Sequence, residues 1–315
     1  MPVDPKIAPL VAMIHAAPPA PQDAVRRRRL NAARKAAGET AYADYVQEEP
    51  EVAEIVEEKI KVSGPDGEIT VRVYRPDGPP AGAMVQLHGG GWVMGTLDDA
   101  DRRSRAVAAG AGVVVVNVDY RLAPEHPFPI PAEDCYRALE WVAEQAGRVG
   151  YDPERIAVGG ESAGGNLSAA VCLLAKERGG PMPVLQVLEI PALDLTRASS
   201  TVETYAVGHV LTKAELVWVI DTYLDGQDPT HPIASPLHAP DLTGLPPALI
   251  VSAECDPVAG DARRYAARLA AAGVPVTFRE FEGHVHGSHL LTGLLPSARE
   301  WRSLVVNAVA AAVRR

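Results

Sequence analysis

Arg155-Ile156-Ala157-Val158-Gly159 runs directly into Gly160-Glu161-Ser162-Ala163-Gly164, and the reading of this junction decides the fold. The first five residues read as a short buried strand. A Gly-x-Ser-x-Gly between a strand and a helix forces a very sharp turn with the serine on its tip. Residues two before and two after the serine must be small, because neighbouring backbone passes where a Cβ would stand. The following helix spans Ala163 to Ala175, small on its crowded side (Gly164, Gly165) and apolar beyond. Its positive end lies beside Ser162 and favours negative charge building up on a substrate oxygen. The five-residue pattern is common by chance, so its position matters more than the match.

Outward from the junction the chain alternates strand and helix. Ala83–Leu87 and Val113–Val118 are continuous apolar runs, as expected of strands buried on both faces. Helical patterns cover about 98–109 and 132–145. Beyond the junction, Leu185–Ile190, Ala248–Ser252 and Val276–Phe281 read as strands, Ala262–Ala272 and Trp301–Val313 as helices. Ile55–Val62 and Ile69–Tyr74 alternate apolar and charged residues around Gly64-Pro65-Asp66-Gly67, which predicts an antiparallel hairpin at the start of the sheet. The expected class is α/β, a mostly parallel eight-stranded sheet covered by helices on both faces. Two stretches stand apart. Residues 1–50 look helical and interrupted by Pro18-Pro19-Ala20-Pro21, and 196–232 carry Tyr205, Leu211, Leu216, Trp218, Tyr223 and Leu224 at helical spacing. These two are expected to pack together as a lid over Ser162, an ordinary covering helix being the competing account. The division follows: 1–48 N-terminal helical cap segment, 49–195 first part of the core, 196–232 cap insertion, 233–315 second part of the core.

Composition excludes several classes. The 315 residues are 47% apolar and 22% charged, an ordinary soluble balance, with a net charge of −10 that leaves no basic excess for nucleic acid. Aromatics are only 5%, so the core must be packed mainly with Ala, Val and Leu. Arg26-Arg27-Arg28-Arg29 reads as a solvated helix face. Cys135, Cys172 and Cys255 lack metal-type spacing and suggest reduced, buried thiols in a cytoplasmic protein. Asp4 and Lys6 precede a proline-broken apolar stretch whose arginines come afterwards, the wrong charge order for a secretory signal. No apolar run approaches the roughly 18 residues of a membrane span, so no stable membrane insertion is expected. No cofactor and no metal are called for.

Serine needs a base to take its proton, and the base needs an acid to orient it. In a doubly wound sheet both come from loops at the carboxyl ends of later strands. Asp256 follows the strand Ala248–Ser252, with Pro257 opening the next helix. A mere helix cap is its competing reading, and Asp261 is the competing acid, although it falls inside the predicted helix. The loop after Val276–Phe281 offers Gly283-His284-Val285-His286-Gly287-Ser288-His289. His286 is preferred because Gly287 permits a tight turn that presents its ring, with His284 as the alternative and His289 read as a surface histidine. His88-Gly89-Gly90-Gly91-Trp92 follows a buried strand, and its glycines leave backbone N–H groups bare to approach an anion. A phosphate loop would need a Lys-Ser/Thr that is absent. Two N–H groups from this loop and that of Ala163 would form an oxyanion hole. His88, Gly89, Trp92 and Glu161 are expected to line the substrate pocket.

Together these residues resemble bacterial members of the hormone-sensitive-lipase family of α/β-hydrolases, from about residue 45 to the C-terminus. The matching pieces are His88–Trp92, Asp119-Tyr-Arg-Leu-Ala-Pro-Glu-His-Pro-Phe-Pro129, Gly160–Gly164, Ser235-Pro-Leu, Gly244-Leu-Pro-Pro247, Asp256-Pro257 and His286-Gly287. The resemblance implies the α/β-hydrolase fold with a helical cap, and a carboxylic ester hydrolase acting on a small-molecule ester. It assigns Ser162 as nucleophile, His286 as base, Asp256 as its orienter, and Gly90, Gly91 and Ala163 as oxyanion donors. It gives Tyr120–Pro129 a bracing role. Three departures stand out: Glu161 where the family has Asp or Thr, Ser288 where an aromatic follows His-Gly, and Ala259-Gly260-Asp261-Ala262 in place of Arg-Asp-Glu-Gly. Ser288 is expected to open space near the acyl or alcohol side. A specialised ester, lactone, amide or acetylated compound is the alternative substrate, and a non-catalytic ligand-binding protein the alternative class. The apolar cap suggests short to medium acyl chains. A monomer or a homodimer joined through the strand Val276–Phe281 is expected.

Overall fold

Eight strands form one sheet in the computed structural model, which describes residues 3–17, 20–37, 45–64 and 67–314. They are β1 (Glu54–Lys61), β2 (Glu68–Arg75), β3 (Ala83–Leu87), β4 (Val114–Asp119), β5 (Ile156–Glu161), β6 (Leu185–Glu189), β7 (Ala248–Cys255) and β8 (Val276–Val285). Their order across the sheet is β1-β2-β4-β3-β5-β6-β7-β8. The pairs β1–β2 and β2–β4 are antiparallel and the other five are parallel. The apolar runs become strands with every residue of β3 and β6 buried, while charged β1 stays half-exposed at one edge. Pro18, Pro19, the turn residues Pro65 and Asp66, and 38–44 of the expected cap segment lie outside the described residues.

The helices are α1 (Ala8–Ala16), α2 (Ala24–Ala36), α3 (Asp101–Ala111), α4 (Ile130–Val149), α5 (Ala163–Arg178), α6 (Ser200–Thr204), α7 (Lys213–Leu224), α8 (Ala259–Ala271) and α9 (Pro296–Val313). Val107 and Ala108 of α3 and Trp301, Val305 and Val309 of α9 cover one face of the sheet. Leu139 and Val142 of α4, Leu167 and Val171 of α5, and Leu269 of α8 cover the other. With so few aromatics, these small and branched side chains supply most of the buried apolar area that drives folding. The three thiols are buried and not joined in disulfides. No helix of the described residues is long and apolar enough to cross a membrane.

Strands β7 and β8 run past their expected ends. After a bulge near Ala253 the pairing continues to Cys255 opposite Val285, so the next residue on each strand emerges beside the other. Those residues are Asp256 and His286. The sequence expectation ended both strands early because Glu254, Glu282 and Gly283 look like loop residues.

The N-terminal helices reach the same end of the sheet. Ile7, Leu10 and Val11 pack with Val285, Leu291, Leu295 and Ala298, and Asp4 N–H donates to the Gly283 carbonyl at 3.0 Å. Asp23 caps α2 by accepting from Arg26 N–H. The arginine run is not the fully solvated face expected. Arg27 pairs with Glu215 of α7 at 2.5 Å and lies over the Trp218 ring. Arg28 donates to the carbonyls of Val93 and Ala123 at 2.9 and 3.1 Å and pairs with Glu125. Because α2 lies across these elements, two of its consecutive side chains reach neighbours instead of water.

Candidate active site

Ser162 caps α5 with φ 56° and ψ −116°, a strained conformation for a residue with a side chain. Its N–H donates to the Glu189 carbonyl at 2.8 Å. The flanking glycines are there for space. A Cβ on Gly160 or Gly164 would stand 2.3 or 2.1 Å from the Leu87 carbonyl oxygen. β5 and α5 therefore press against the end of β3, and the serine is lifted out of the sheet.

His286 brings its Nε2 to 3.0 Å from Ser162 Oγ and its Nδ1 to 2.7 Å from Asp256 Oδ2. Asp256 is fully buried, and its other oxygen accepts from Val258 N–H at 3.1 Å. It thus holds the imidazole and also ties down the turn into α8. Burial by itself favours the neutral imidazole, but the Asp256 charge and hydrogen bond outweigh it, with help from Glu161 and Glu215. His286 is consequently raised above its ordinary 6.5.

The competitors are engaged elsewhere. His284 is buried against Phe281 and Trp301, hydrogen-bonded to Ser297 and Ser288 at 2.8 Å each. Burial, reinforced by His289, pushes it down to about 4. Asp261 sits inside α8, accepting from the N–H groups of Leu193 and Asp194 at 3.2 Å.

The loop after β3 carries the other half of the site. Gly90 has φ +120° and Gly91 φ +62°, conformations that favour glycine. A Cβ on Gly90 would meet the Met94 carbonyl at 2.3 Å, and one on Gly91 would meet Val219 of α7 at 2.8 Å. Among the described residues, the N–H groups of Gly90, Gly91 and Ala163 donate to no backbone carbonyl. Behind the loop, Tyr120 donates its hydroxyl to the His88 carbonyl at 2.8 Å, and Arg121 pairs with buried Asp134 at 2.6 Å. Asn166 on α5 donates to the carbonyls of Ala192 and Ala234 at 2.8 Å, fixing the loop beyond β6.

Four expectations need correction. His88 and Trp92 were expected in the pocket lining but are each only 1% exposed. His88 stacks on Tyr120 at 4.2 Å and Trp92 on Tyr223 at 4.5 Å, so both wedge the glycine loop from beneath. Ser288 is buried, and its hydroxyl bonds to Val285 N–H and to the Val285 carbonyl, holding the turn after the base instead of opening space. His289 is no surface histidine. It is buried and bonded through Nε2 to Glu161 Oε2 at 2.6 Å. Gly89 lies beside that carboxylate, where a Cβ would come within 3.1 Å of Glu161 Cγ.

Sequence reasoning missed Glu189, Arg103 and Trp301. Glu189 ends β6 fully buried, pairs with Arg103, and accepts from Trp301 Nε1 at 2.7 Å. An acid closing a mostly apolar strand was the available signal, since a buried carboxylate demands partners. No group of three or more His, Cys, Asp or Glu among the described residues is placed to hold a metal ion. What the arrangement offers is a hydroxyl within hydrogen-bond reach of an oriented imidazole.

A family model described as alpha/beta hydrolase fold matches residues 84–290. The chain is 44% identical over 236 residues to the carboxylic ester hydrolase LipN of Mycobacterium tuberculosis, covering 72% of this chain and 63% of LipN. It is 43% identical over 251 residues to the carboxylesterase NlhH of the same organism, covering 75% and 77%. Among solved structures, a hyperthermophilic esterase from Pyrobaculum calidifontis superposes with a TM-score of 0.88 at 34% identity, covering 100% of both chains.

Proposed function

The chain belongs to the α/β-hydrolase-fold family, in its hormone-sensitive-lipase-like branch, and is an ester hydrolase; we propose that it cleaves short- to medium-chain acyl esters through Ser162, His286 and Asp256. The observation that carries this reading is the hydrogen-bonded line from Ser162 Oγ through the imidazole to the Asp256 carboxylate. Ser162 Oγ attacks the ester carbonyl as His286 Nε2 takes its proton, and Asp256 steadies the imidazolium that results. The carbonyl oxygen, now an anion, receives the N–H groups of Gly90, Gly91 and Ala163 at the positive end of α5. Losing one such donor typically costs ~3 kcal/mol of transition-state stabilisation. His286 then returns the proton to the departing alcohol. Water repeats the sequence on the acyl-enzyme and frees Ser162.

Residues 1–48 and 196–232 form the cap in this reading. Val219 of α7 stands against Gly91, and α2 is fastened to α7 and to the glycine loop, which supports an enclosed acyl site of limited length. A homodimer through the β8 edge is the alternative to a monomer, and light scattering on the purified protein separates them. Ser162→Ala tests the mechanism: turnover of p-nitrophenyl esters is abolished while the thermal melt is unchanged. Wild-type rates in that variant would remove the nucleophile. A p-nitrophenyl acyl-length series tests the chain preference, with kcat/KM falling beyond medium lengths.

A further inference from the structure

The residue immediately before the nucleophile is joined to a residue just after the base. Glu161 closes β5, and its Oε2 meets His289 Nε2 at 2.6 Å. His289 lies in the short turn Ser288–Leu290 and stacks on Trp301 at 5.1 Å. Trp301 donates to Glu189, whose own carbonyl accepts the Ser162 N–H. The path therefore starts at Glu161 and returns to the next residue in the chain, having passed through the base loop, α9 and the end of β6. The same Glu161 side chain abuts Gly89, so it links the serine turn to both the base loop and the glycine loop.

We propose that Glu161 and His289 are positioning residues, a part-buried carboxylate–imidazole strut that fixes the His286 loop against the Ser162 turn. The proposal rests on the triad reading above. Burial works against a charged Glu161, but the hydrogen bond from His289 and the charge of Arg103 outweigh it and hold its carboxyl below the ordinary range. Burial pushes His289 below its ordinary range, leaving a neutral ring that donates its Nε2–H. The charged groups around the strut are Arg103 from α3, paired with Glu189, and Glu49 with Arg302 beyond it. His286 itself faces Asp256, Glu161 and Glu215, from the β7 loop, β5 and α7. Glu161 thus supplies both a tether to the base loop and an anion that stabilises the imidazolium.

The test compares wild type, Ser162→Ala, Glu161→Gln, His289→Phe and His289→Gln on p-nitrophenyl acetate across the acid limb, with a thermal melt of each. Glu161→Gln is isosteric and its amide oxygen still accepts the His289 Nε2–H, so it removes the charge and keeps the tether, and kcat falls by less than about tenfold. It also moves the acid limb of kcat/KM to lower pH, by about half a pH unit, because the imidazolium has lost an anion. His289→Phe keeps the stack on Trp301 without the donor and lowers kcat roughly 10- to 100-fold, the effect of a displaced base, while KM changes by less than about threefold. His289→Gln sets an amide N–H near the place of Nε2 and recovers to within about threefold of wild type. An unmoved acid limb in Glu161→Gln, or wild-type kcat in His289→Phe, overturns the proposal. So does a His289→Gln as impaired as His289→Phe. Should His289→Phe fail to fold, the acid limb of Glu161→Gln decides. Activity retained by Ser162→Ala, or absent from wild type, strikes the triad reading instead.

Discussion

A buried imidazole ordinarily holds its proton less well than one in water, yet His286 holds it better. The difference is Asp256, and the consequence for pH is definite. In the proposed mechanism the base must be neutral to accept the Ser162 proton, so kcat/KM is expected to rise with pH through the His286 titration, with its midpoint above 6.5. Asp256→Asn removes the anion, and the midpoint falls while kcat drops by about 10⁴-fold; a pH series on both proteins measures it. His286→Ala loses a comparable factor. His284→Ala instead lowers the melting temperature and spares most of kcat, because His284 braces Ser288 and Ser297 and has no reach to the serine. At this scale Ser162, Asp256 and His286 were legible because chemistry demands those residue types after particular strands. His289 and Glu189 were not, since their partners are brought to them only by sheet order and by the packing of α9.

Two elements decide how the site is assembled. The β7–β8 pair carries Cys255 opposite Val285 and so releases Asp256 and His286 side by side. Its last residues carry charge and a glycine, so the sequence signal of a strand fades before the pairing does. The exposed edge position of β8 makes such residues tolerable, because one face of the strand meets water. The β5–α5 elbow is the opposite case: its glycines announce it in the sequence, and the close approach to Leu87 explains them. Gly164→Ala forces a methyl into that carbonyl. The variant is expected to lose about 1–3 kcal/mol or more of stability, read as a lower urea midpoint. Losing activity before unfolding would locate the first damage at the serine.

At the scale of the whole molecule, Asp261 is a group whose ionisation costs stability on the alkaline side of the range. Asp261 is buried, and burial together with the Asp194 charge raises its carboxyl from 3.8 to about 8. Between those values the folded protein keeps a proton that the unfolded chain has given up. Stability is therefore lost as pH rises across that window, the reverse of an ion-paired aspartate. Asp261→Asn keeps the acceptor for Leu193 and Asp194 without the charge, and is expected to gain about 1–3 kcal/mol at the alkaline end and flatten the profile. Denaturant titrations of both proteins at acid and alkaline pH check this. The sequence showed at this scale that 1–48 and 196–232 stood outside the strand–helix alternation. What it could not show was the attachment, because two of four consecutive arginines turning inward depends on what α2 is laid across.

That attachment, Arg27 to Glu215 and Arg28 to Glu125, is partly exposed and electrostatic, of a kind that dissolved ions weaken. Sodium chloride should then work like a thumb on a doorway. On the proposed cap, bulky esters are expected to gain on acetate in kcat/KM in brine, and Arg27→Ala to show that ratio already in dilute buffer.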